Sequence, residues 1–252
     1  MGPRLTTATD KDQHRANWLL AAMPTSELKR LMPHMEIVPL RPRAILNEAG
    51  APLRYAYFPH GGVICLMAAL RKGVAETATI GAEGFIGFTA VLGGKTSHQR
   101  VLVQVGGTAS RLATDVLVAA IRRNPALRDL LLGYVRFFLV QVLQSVACNG
   151  LHSVRQRCAR WLLMAHDRAG TETFGLTHQF LADVLGIQRP SVTLVARSLQ
   201  QAGLINYRRG TFIIADRKRL EGAACECYAI VRHALDEILT RPTTPRQKSR
   251  RT

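Results

Sequence analysis

The sequence predicts an α+β protein: a β-rich N-terminal half, one long helix, and a compact helical C-terminal region that contains a β-hairpin. Three observations support this. Short apolar runs separated by glycines fill residues 36–114, an apolar pattern of helical period starts at Pro125, and two short amphipathic helices followed by a hairpin pattern come after Gly150.

The composition suits a globular chain that binds polyanions. Of 252 residues, 47% are hydrophobic and 20% charged, enough apolar residue for a core in one or two domains. Lys and Arg number 34 against 17 acids, a net charge of +17 that attracts nucleic acids, acidic membranes or acidic proteins. The excess is similar in both halves and does not locate a site. Polar residues 1–16 hold no secretory signal, and Leu130–Ala147 is interrupted by polar side chains, so we predict a cytoplasmic protein with no membrane partner.

The N-terminal half reads as a sandwich or barrel of the jelly-roll kind. A helix at Trp18–Ala22 and another from Thr25 precede many short strands at close, regular spacing. The predicted strands are Glu36–Leu40, Ala44–Asn47, Tyr55–Phe58, Gly62–Ala69, Glu76–Ile80, Phe85–Phe88, Arg100–Val105 and Thr108–Ala113.

A helix from Pro125 to about Asn149 follows a short helix at Asp115–Arg122. Twenty-five residues at 1.5 Å rise span about 37 Å, more than a small domain covers on both sides. We therefore predict a dimerisation helix that packs on its copy; a helix buried within one chain is the alternative. The predicted seam, at spacings of three and four, is Leu127, Leu131, Tyr134, Phe138, Val142 and Ser145.

The segment 176–205 carries the pattern of a helix-turn-helix. Thr177 is placed to cap a short helix, Gly186 permits a tight turn, and a second helix starts near Arg189. Gly203 stops that second helix, whose inner face consists of Val192, Val195, Ala196 and Leu199.

A β-hairpin with Arg208 and Arg209 at its tip follows and reads as a wing. Residues 189–219 hold seven basic residues and one acid, so here the charge does concentrate, and we predict binding to double-stranded DNA. A winged helix used only for protein contacts is the alternative. The candidate DNA-binding residues are Thr177, Gln188, Arg189, Pro190, Ser191, Thr193, Leu194, Arg197, Arg208 and Arg209.

At about residues 18–235 the chain resembles the Crp/Fnr transcription regulators, most specifically at Gly186, Arg189, Ser191 and Val192 of the helix-turn-helix and more weakly at Gly81–Gly94. The resemblance implies a cyclic-nucleotide-binding-like jelly roll, a dimer helix, and a winged helix-turn-helix that acts on two-fold-symmetric DNA. It also implies a regulator, activator or repressor, for which RNA polymerase is a candidate partner.

The resemblance transfers only in part to the base-reading residues. Arg189 matches the arginine that contacts guanine. Pro190 stands where the best-studied members have a cytosine-reading Glu, and Leu194 replaces a later arginine. The usual target sequence is therefore not expected.

The candidate effector pocket comprises Phe85, Gly87, Phe88 and Arg100. Cyclic-nucleotide binders have a ribose-binding Glu where this chain has Phe88, and Arg100 is followed by Val101 rather than Ser or Thr. We therefore expect no cyclic nucleotide, and the effector is unidentified or absent.

No cofactor or metal is predicted. Cys225 and Cys227 are the only close cysteine pair, with no CxxC spacing and no second pair or nearby His pair, and only Cys65 lies in the first 140 residues, too few for the family's iron–sulfur branch. A haem branch would draw on His34, His60 or His98.

No enzyme is predicted, because phosphate loops and metal-ligand spacings are missing and Glu83 near His98 is interpreted as a stray surface pair. A sensory or scaffolding protein that binds DNA only non-specifically is the alternative function.

The predicted domain divisions of the chain are a flexible leader 1–16, jelly roll 17–124, dimerisation helix 125–149, winged helix-turn-helix 150–222, C-terminal helix 223–240 and disordered basic tail 241–252.

Overall fold

The computed structural model describes residues 12–71 and 73–240. Residues 1–11 of the predicted leader and the predicted tail 241–252 lie outside the described residues. The end of the predicted leader packs on the sheet: His14 is buried, with Nδ1 2.6 Å from Ser110 Oγ. Asn17 is buried beside it and donates from Nδ2 to the carbonyls of Pro59 and Gly84, so these polar side chains anchor the segment to the sheet.

The N-terminal half consists of two antiparallel sheets, with strand orders β1–β7–β3 and β2–β6–β4–β5. The strands are β1 (Met35–Leu40), β2 (Ile45–Asn47), β3 (Tyr55–Pro59), β4 (Val63–Leu70), β5 (Gly73–Ile80), β6 (Arg100–Val105) and β7 (Gly107–Ala113). The helices around them are α1 (Trp18–Ala22), α2 (Thr25–Leu31), α3 (Thr114–Arg123) and two 3-10 helices, Met32–His34 and Phe88–Leu92.

The strand predicted at Phe85–Phe88 does not form. Ile86 makes a single bridge to Tyr57, and Phe88 already begins a 3-10 helix. Gly87 has φ +90°, a left-handed conformation that ends any extended run. Gly84 is also required, because the Tyr134 ring occupies the space that a Cβ would need.

The predicted effector residues are used by the protein's own packing. Phe85 is buried and stacks on Phe58 with ring centroids 5.1 Å apart, and the Phe88 ring lies 4.3 Å from that of Phe138. Gly87 forms the turn between these two phenylalanines.

Arg100, the fourth predicted effector residue, is exposed at the start of the inner strand β6, where its Nε donates to Glu48 at 2.9 Å. Three of the four residues are therefore engaged in aromatic packing or a turn, and the fourth in an ion pair. His60, considered for haem, is hydrogen-bonded through both ring nitrogens, to Thr108 and Ser110. Burial, with a smaller effect of His14, lowers the pKa of His60 to about 4.

The long helix α4 runs over Pro125–Leu151, with the Asn124 side chain capping Leu127 N at 3.2 Å. The predicted dimer seam is not a free surface, because it packs inside the chain. Leu127, Leu131, Tyr134 and Phe138 are buried within the chain, Val142 is half-buried, and the Ser145 hydroxyl donates to the Gln141 carbonyl. Sequence periodicity could not separate the faces, because the helix is apolar all round.

The opposite face of α4 is an exposed apolar stripe, which we define as Leu132, Leu139, Leu143 and Val146. The last three are 55%, 59% and 67% exposed, unusual for side chains of this size. Leu132, Leu139 and Val146 repeat at intervals of seven, and Leu143 lies beside them. This is the spacing of a helix that meets another helix.

By length and composition alone α4 would suit a membrane span, with a mean hydropathy of 1.6 over its most apolar 18 residues. In the structure, α4 packs against the sheets instead. Its buried Gln141 donates to the Thr79 carbonyl of β5 at 2.9 Å, and its aromatic residues pack on the jelly roll.

The C-terminal region starts with α5, whose N-cap Ser153 and Gln156 form a capping box. Its last helix returns to α4, with Ile238 beside Gly133. The elements are α5 (Val154–Ala169), β8 (Thr173–Gly175), α6 (His178–Leu185), α7 (Arg189–Gln201), β9 (Ile205–Arg208), β10 (Thr211–Ile214), α8 (Arg217–Ala223) and α9 (Cys227–Thr240).

Candidate nucleic-acid interface

The turn between α6 and α7 is built as the sequence predicts. Thr177 caps α6, its Oγ1 accepting from Phe180 N at 3.1 Å. Gly186 ends α6 with φ +64°, where a side chain would be strained, and its N–H bonds to the Ala182 carbonyl. Ile187 N donates to the same carbonyl at 3.0 Å, which fixes the direction of the chain into α7.

Helix α7 separates into a buried and an exposed face. Val192, Ala196 and Leu199 are buried against the domain core, and Val195 is half-buried. Pro190 lies in the first turn, where a backbone N–H is not needed. The exposed predicted residues of this helix and its N-cap are Gln188, Arg189, Pro190, Ser191, Leu194 and Arg197.

Thr193 differs from the other predicted residues. It is half-buried, and its hydroxyl donates to the Arg189 carbonyl at 3.2 Å and lies 3.1 Å from His178 Nδ1. The hydroxyl thus joins α7 to α6 and is not directed toward a ligand.

The wing is the two-stranded hairpin β9–β10, extended by β8 on the far side of β10. Arg208 pairs with Thr211, which leaves Arg209 and Gly210 as a two-residue turn. Both have positive φ, +49° and +80°, as a type I′ turn requires. Arg208 and Arg209 are exposed at its tip.

Part of the basic charge of this region is already neutralised. Arg217 pairs with Asp167 at 2.6 Å and with Glu221 at 3.0 Å, while Arg219 pairs with Asp216 at 3.9 Å. Among the described residues, the basic side chains here without a hydrogen-bond or ion-pair partner are Arg189, Arg197, Arg208, Arg209 and Lys218.

An aromatic cluster missed by the sequence analysis ties the wing to α6. The ring of His178 stacks on Tyr207 at 4.3 Å, and Tyr207 packs on Phe212 at 4.4 Å. Gln200 Oε1 accepts from Tyr207 N at 2.9 Å. No local sequence signal pairs Tyr207 with a histidine 29 positions earlier.

Helix α5 supports α6 and α7 from behind. Arg155 donates to the Ser198 hydroxyl, and Arg157 donates to the Leu185 carbonyl at the end of α6. The two helices are therefore held from α5 as well as through their own turn.

Comparison with known proteins agrees with this geometry. Residues 156–223 match the Crp-like helix-turn-helix domain, a DNA-binding domain, from α5 to the end of α8. FixK2 from Bradyrhizobium japonicum superposes on 76% of this chain and 98% of its own, with a TM-score of 0.65 at 16% identity. The chain has the Crp/Fnr regulator fold.

Two further structures share the Crp/Fnr fold. A regulator of the Crp/Fnr family from Eubacterium rectale covers 81% of this chain and 96% of its own, with a TM-score of 0.64 at 16% identity. TTHB099, a Crp-family transcriptional regulator from Thermus thermophilus, covers 75% and 99%, with a TM-score of 0.59 at 20% identity. No curated protein matches the sequence.

This chain also brings together a cluster of cysteines and a histidine that the sequence analysis did not predict. Cys148 and His152 at the end of α4 meet Cys225 and Cys227 at the start of α9, with all four potential ligand atoms within 4.8 Å of one another. Spacing along the chain could not show this grouping, because the two halves of the cluster lie more than 70 residues apart.

Proposed function

We propose that this Crp/Fnr-type protein is a transcription regulator that binds a two-fold-symmetric DNA site as a homodimer and is not an enzyme. The observation that carries the proposal is the outer face of α7. It presents Arg189 and Arg197 without partners among the described residues, and the wing tip adds Arg208 and Arg209. One buried face and one cationic face make a helix suited to the major groove.

The residues divide by role. Arg189, in the first turn of α7, specifies a base, since an arginine there can bond both acceptors of guanine. Ser191, Arg197, Arg208 and Arg209 contact phosphates and set the register. Leu194 offers only apolar contact, so the preferred site differs from one read by arginine at that position.

The second copy packs on the exposed apolar stripe of α4. A stripe of large side chains facing solvent along a helix of 27 residues favours a helical partner of the same length. Two copies joined there would present two α7 helices to successive major grooves, about 34 Å apart.

Cyclic nucleotides are not part of this proposal. The aromatic packing of Phe85 and Phe88 and the ion pair of Arg100 with Glu48 support regulation by another effector or by none.

The experiment is selection of random duplex DNA by the full-length protein at two salt concentrations. We expect a palindrome whose half-sites lie about 10 base pairs apart. Affinity for it should fall with salt while the preference over random DNA persists.

Binding without a consensus that disappears at moderate salt, with added cell extract restoring no preference, would overturn the proposal. It would favour the sensory or scaffolding alternative, for which Pro190 and Leu194 are the specific observations.

A further inference from the structure

Four potential metal ligands come together where α4 ends and α9 begins. The Sγ atoms of Cys148 and Cys225 are 3.5 Å apart, and Cys227 Sγ is 3.5 Å from His152 Nδ1. The three cysteines are buried as a cluster of their own, separate from the main core, and the His152 side chain is only 15% exposed.

The spacing fits one tetrahedral ion. Bonds of about 2.3 Å to sulfur and about 2.0 Å to nitrogen place the ligand atoms of a zinc site roughly 3.5–3.8 Å from one another. Two of the distances already have this value, and the others, within 4.8 Å, close by small side-chain rotations. A multi-iron cluster encloses several ions and needs its cysteines farther apart.

The neighbours are arranged as around a metal-bound histidine and thiolate. Glu226 Oε1 lies 3.1 Å from His152 Nε2, so the proton sits on Nε2 and leaves the Nδ1 lone pair facing Cys227. A carboxylate on the second ring nitrogen commonly orients zinc-bound histidines. Gln144 Nε2 donates to Cys227 Sγ at 3.1 Å, a bond that a thiolate accepts better than a thiol.

The surrounding charge is complementary too. Three thiolates and one divalent cation leave a net charge of −1. Buried Arg160 and neighbouring Arg157 interact electrostatically with Cys148, and the Nε atom of each is buried without a hydrogen-bond partner among the described residues.

We propose that Cys148, His152, Cys225 and Cys227 bind one zinc ion that fastens the start of α9 to the end of α4. Binding forms three Zn–S bonds and one Zn–N bond, and the three thiols release three protons to solvent. The ion would then rigidify the junction at which the long helix passes into the helix-turn-helix domain.

The first test is metal analysis of the full-length protein purified without chelators under reducing conditions. We expect about one zinc per chain. After removal of zinc, Co²⁺ should give the intense visible absorption of tetrahedral cobalt–thiolate, and zinc should displace it with release of about three protons.

Variants locate the ion. Cys225→Ala and Cys148→Ala should lose it, whereas Cys65→Ala, a buried cysteine in the jelly roll, should retain it. If an alanine variant fails to fold, Glu226→Gln decides: it touches only the far ring nitrogen and should keep the ion with affinity lowered about 10–100-fold.

Failure to bind Zn²⁺ or Co²⁺ after reduction would overturn the proposal. So would a Cys148–Cys225 disulfide that persists in the purified protein, acid-labile sulfide in place of zinc, or equal metal content in the Cys225→Ala and Cys65→Ala proteins.

Discussion

Arg168 of α5 and Glu83 of the jelly roll form a buried ion pair, with Nε 2.6 Å from Oε1. The same guanidinium donates from a second nitrogen to Gln141 Oε1 of α4 at 2.7 Å. One side chain therefore joins the jelly roll, the long helix and the first helix of the DNA-binding domain. Glu83, predicted as a stray surface residue near His98, is in fact part of an interdomain contact.

The backbone at Gly81 lies too close to the Arg168–Glu83 pair to accept a side chain. A Cβ on Gly81 would lie 2.5 Å from Arg168 Cγ, and Gly81 N also donates to Glu83 at 3.2 Å. The glycine permits the close approach of α5, and the ion pair then fixes the angle at which the DNA-binding domain leaves the jelly roll.

Glu83→Gln should destabilise the protein strongly. The substitution keeps the shape but leaves the Arg168 charge buried without a counter-charge, which costs about 3–5 kcal/mol. Urea unfolding followed by the fluorescence of Trp18 and Trp161 measures this loss. Glu48→Gln, which breaks the exposed pair with Arg100, is the matched control and should cost less than about 1 kcal/mol. Equal losses would show that the interdomain pair has no special role.

Glu76 predicts a pH dependence of stability. Burial raises its pKa to about 7, despite the hydrogen bond from Trp161 Nε1 at 3.1 Å. The folded protein therefore holds a proton that the unfolded chain, with a pKa near 4.5, has released, so this residue's contribution falls as pH rises from 4.5 to 7.

Glu76→Gln should remove that contribution, which is at most about 3 kcal/mol. The gain of the variant over wild type in urea unfolding should be larger at pH 8 than at pH 5. A difference that stays constant across this range would contradict the role assigned to Glu76.

The parts of the fold that depend on local sequence could be predicted. Gly186, with its positive φ between two amphipathic segments, defines the helix-turn-helix, and the Arg209-Gly210 turn defines the wing, because both depend on neighbours along the chain. The resemblance at Gly186–Val192 located the same region as the domain match over residues 156–223.

The parts of the fold that depend on contacts between residues far apart in the sequence could not be predicted. Helix α4 is apolar on every face, so only the jelly roll shows that Tyr134 points inward and Leu143 outward. Likewise, Glu83 and Arg168 are 85 positions apart, and the two halves of the cysteine cluster are farther from each other than a local motif extends.

Charge on the apolar stripe should dissociate the dimer. Leu139→Glu combined with Leu143→Glu places four carboxylates in the proposed interface, and burying them without partners is prohibitive. Sedimentation velocity should show a dimer for wild type and a monomer for the variant, with specific DNA binding lost. Leu92→Glu, an equally exposed leucine on the jelly roll, should remain dimeric. A wild-type monomer at high concentration would contradict the interface.

Arg189 and Arg208 should respond differently to DNA sequence. Arg189→Ala should weaken binding to the selected site by about 1–3 kcal/mol and leave random DNA nearly unaffected, because it removes a base contact. Arg208→Ala should weaken both alike. Arg123→Ala, at the exposed end of α3, is the control for net charge. Titrations on specific and random duplexes measure these losses of binding free energy. If Arg189→Ala loses the same amount on both kinds of duplex, base reading by Arg189 is contradicted.

Arg209 is strained at the wing tip, where we propose that its charge meets a phosphate. Its φ of +49° is unfavourable for a side chain by roughly 1–2 kcal/mol, whereas asparagine before glycine suits this turn. Arg209→Asn should therefore raise the free energy of unfolding by about 1 kcal/mol. It should also remove one phosphate contact, which lowers the slope of log affinity against log salt concentration by about one. Arg208→Asn loses the same charge from a strand position without positive φ, so it should reduce the salt dependence equally without any gain in stability.

Thermal unfolding and salt titration of the two variants separate the effect on stability from the effect on DNA binding. If Arg209→Asn leaves both stability and salt dependence unchanged, then neither the strain nor the contact exists; if it changes only stability, the wing tip does not meet the phosphates.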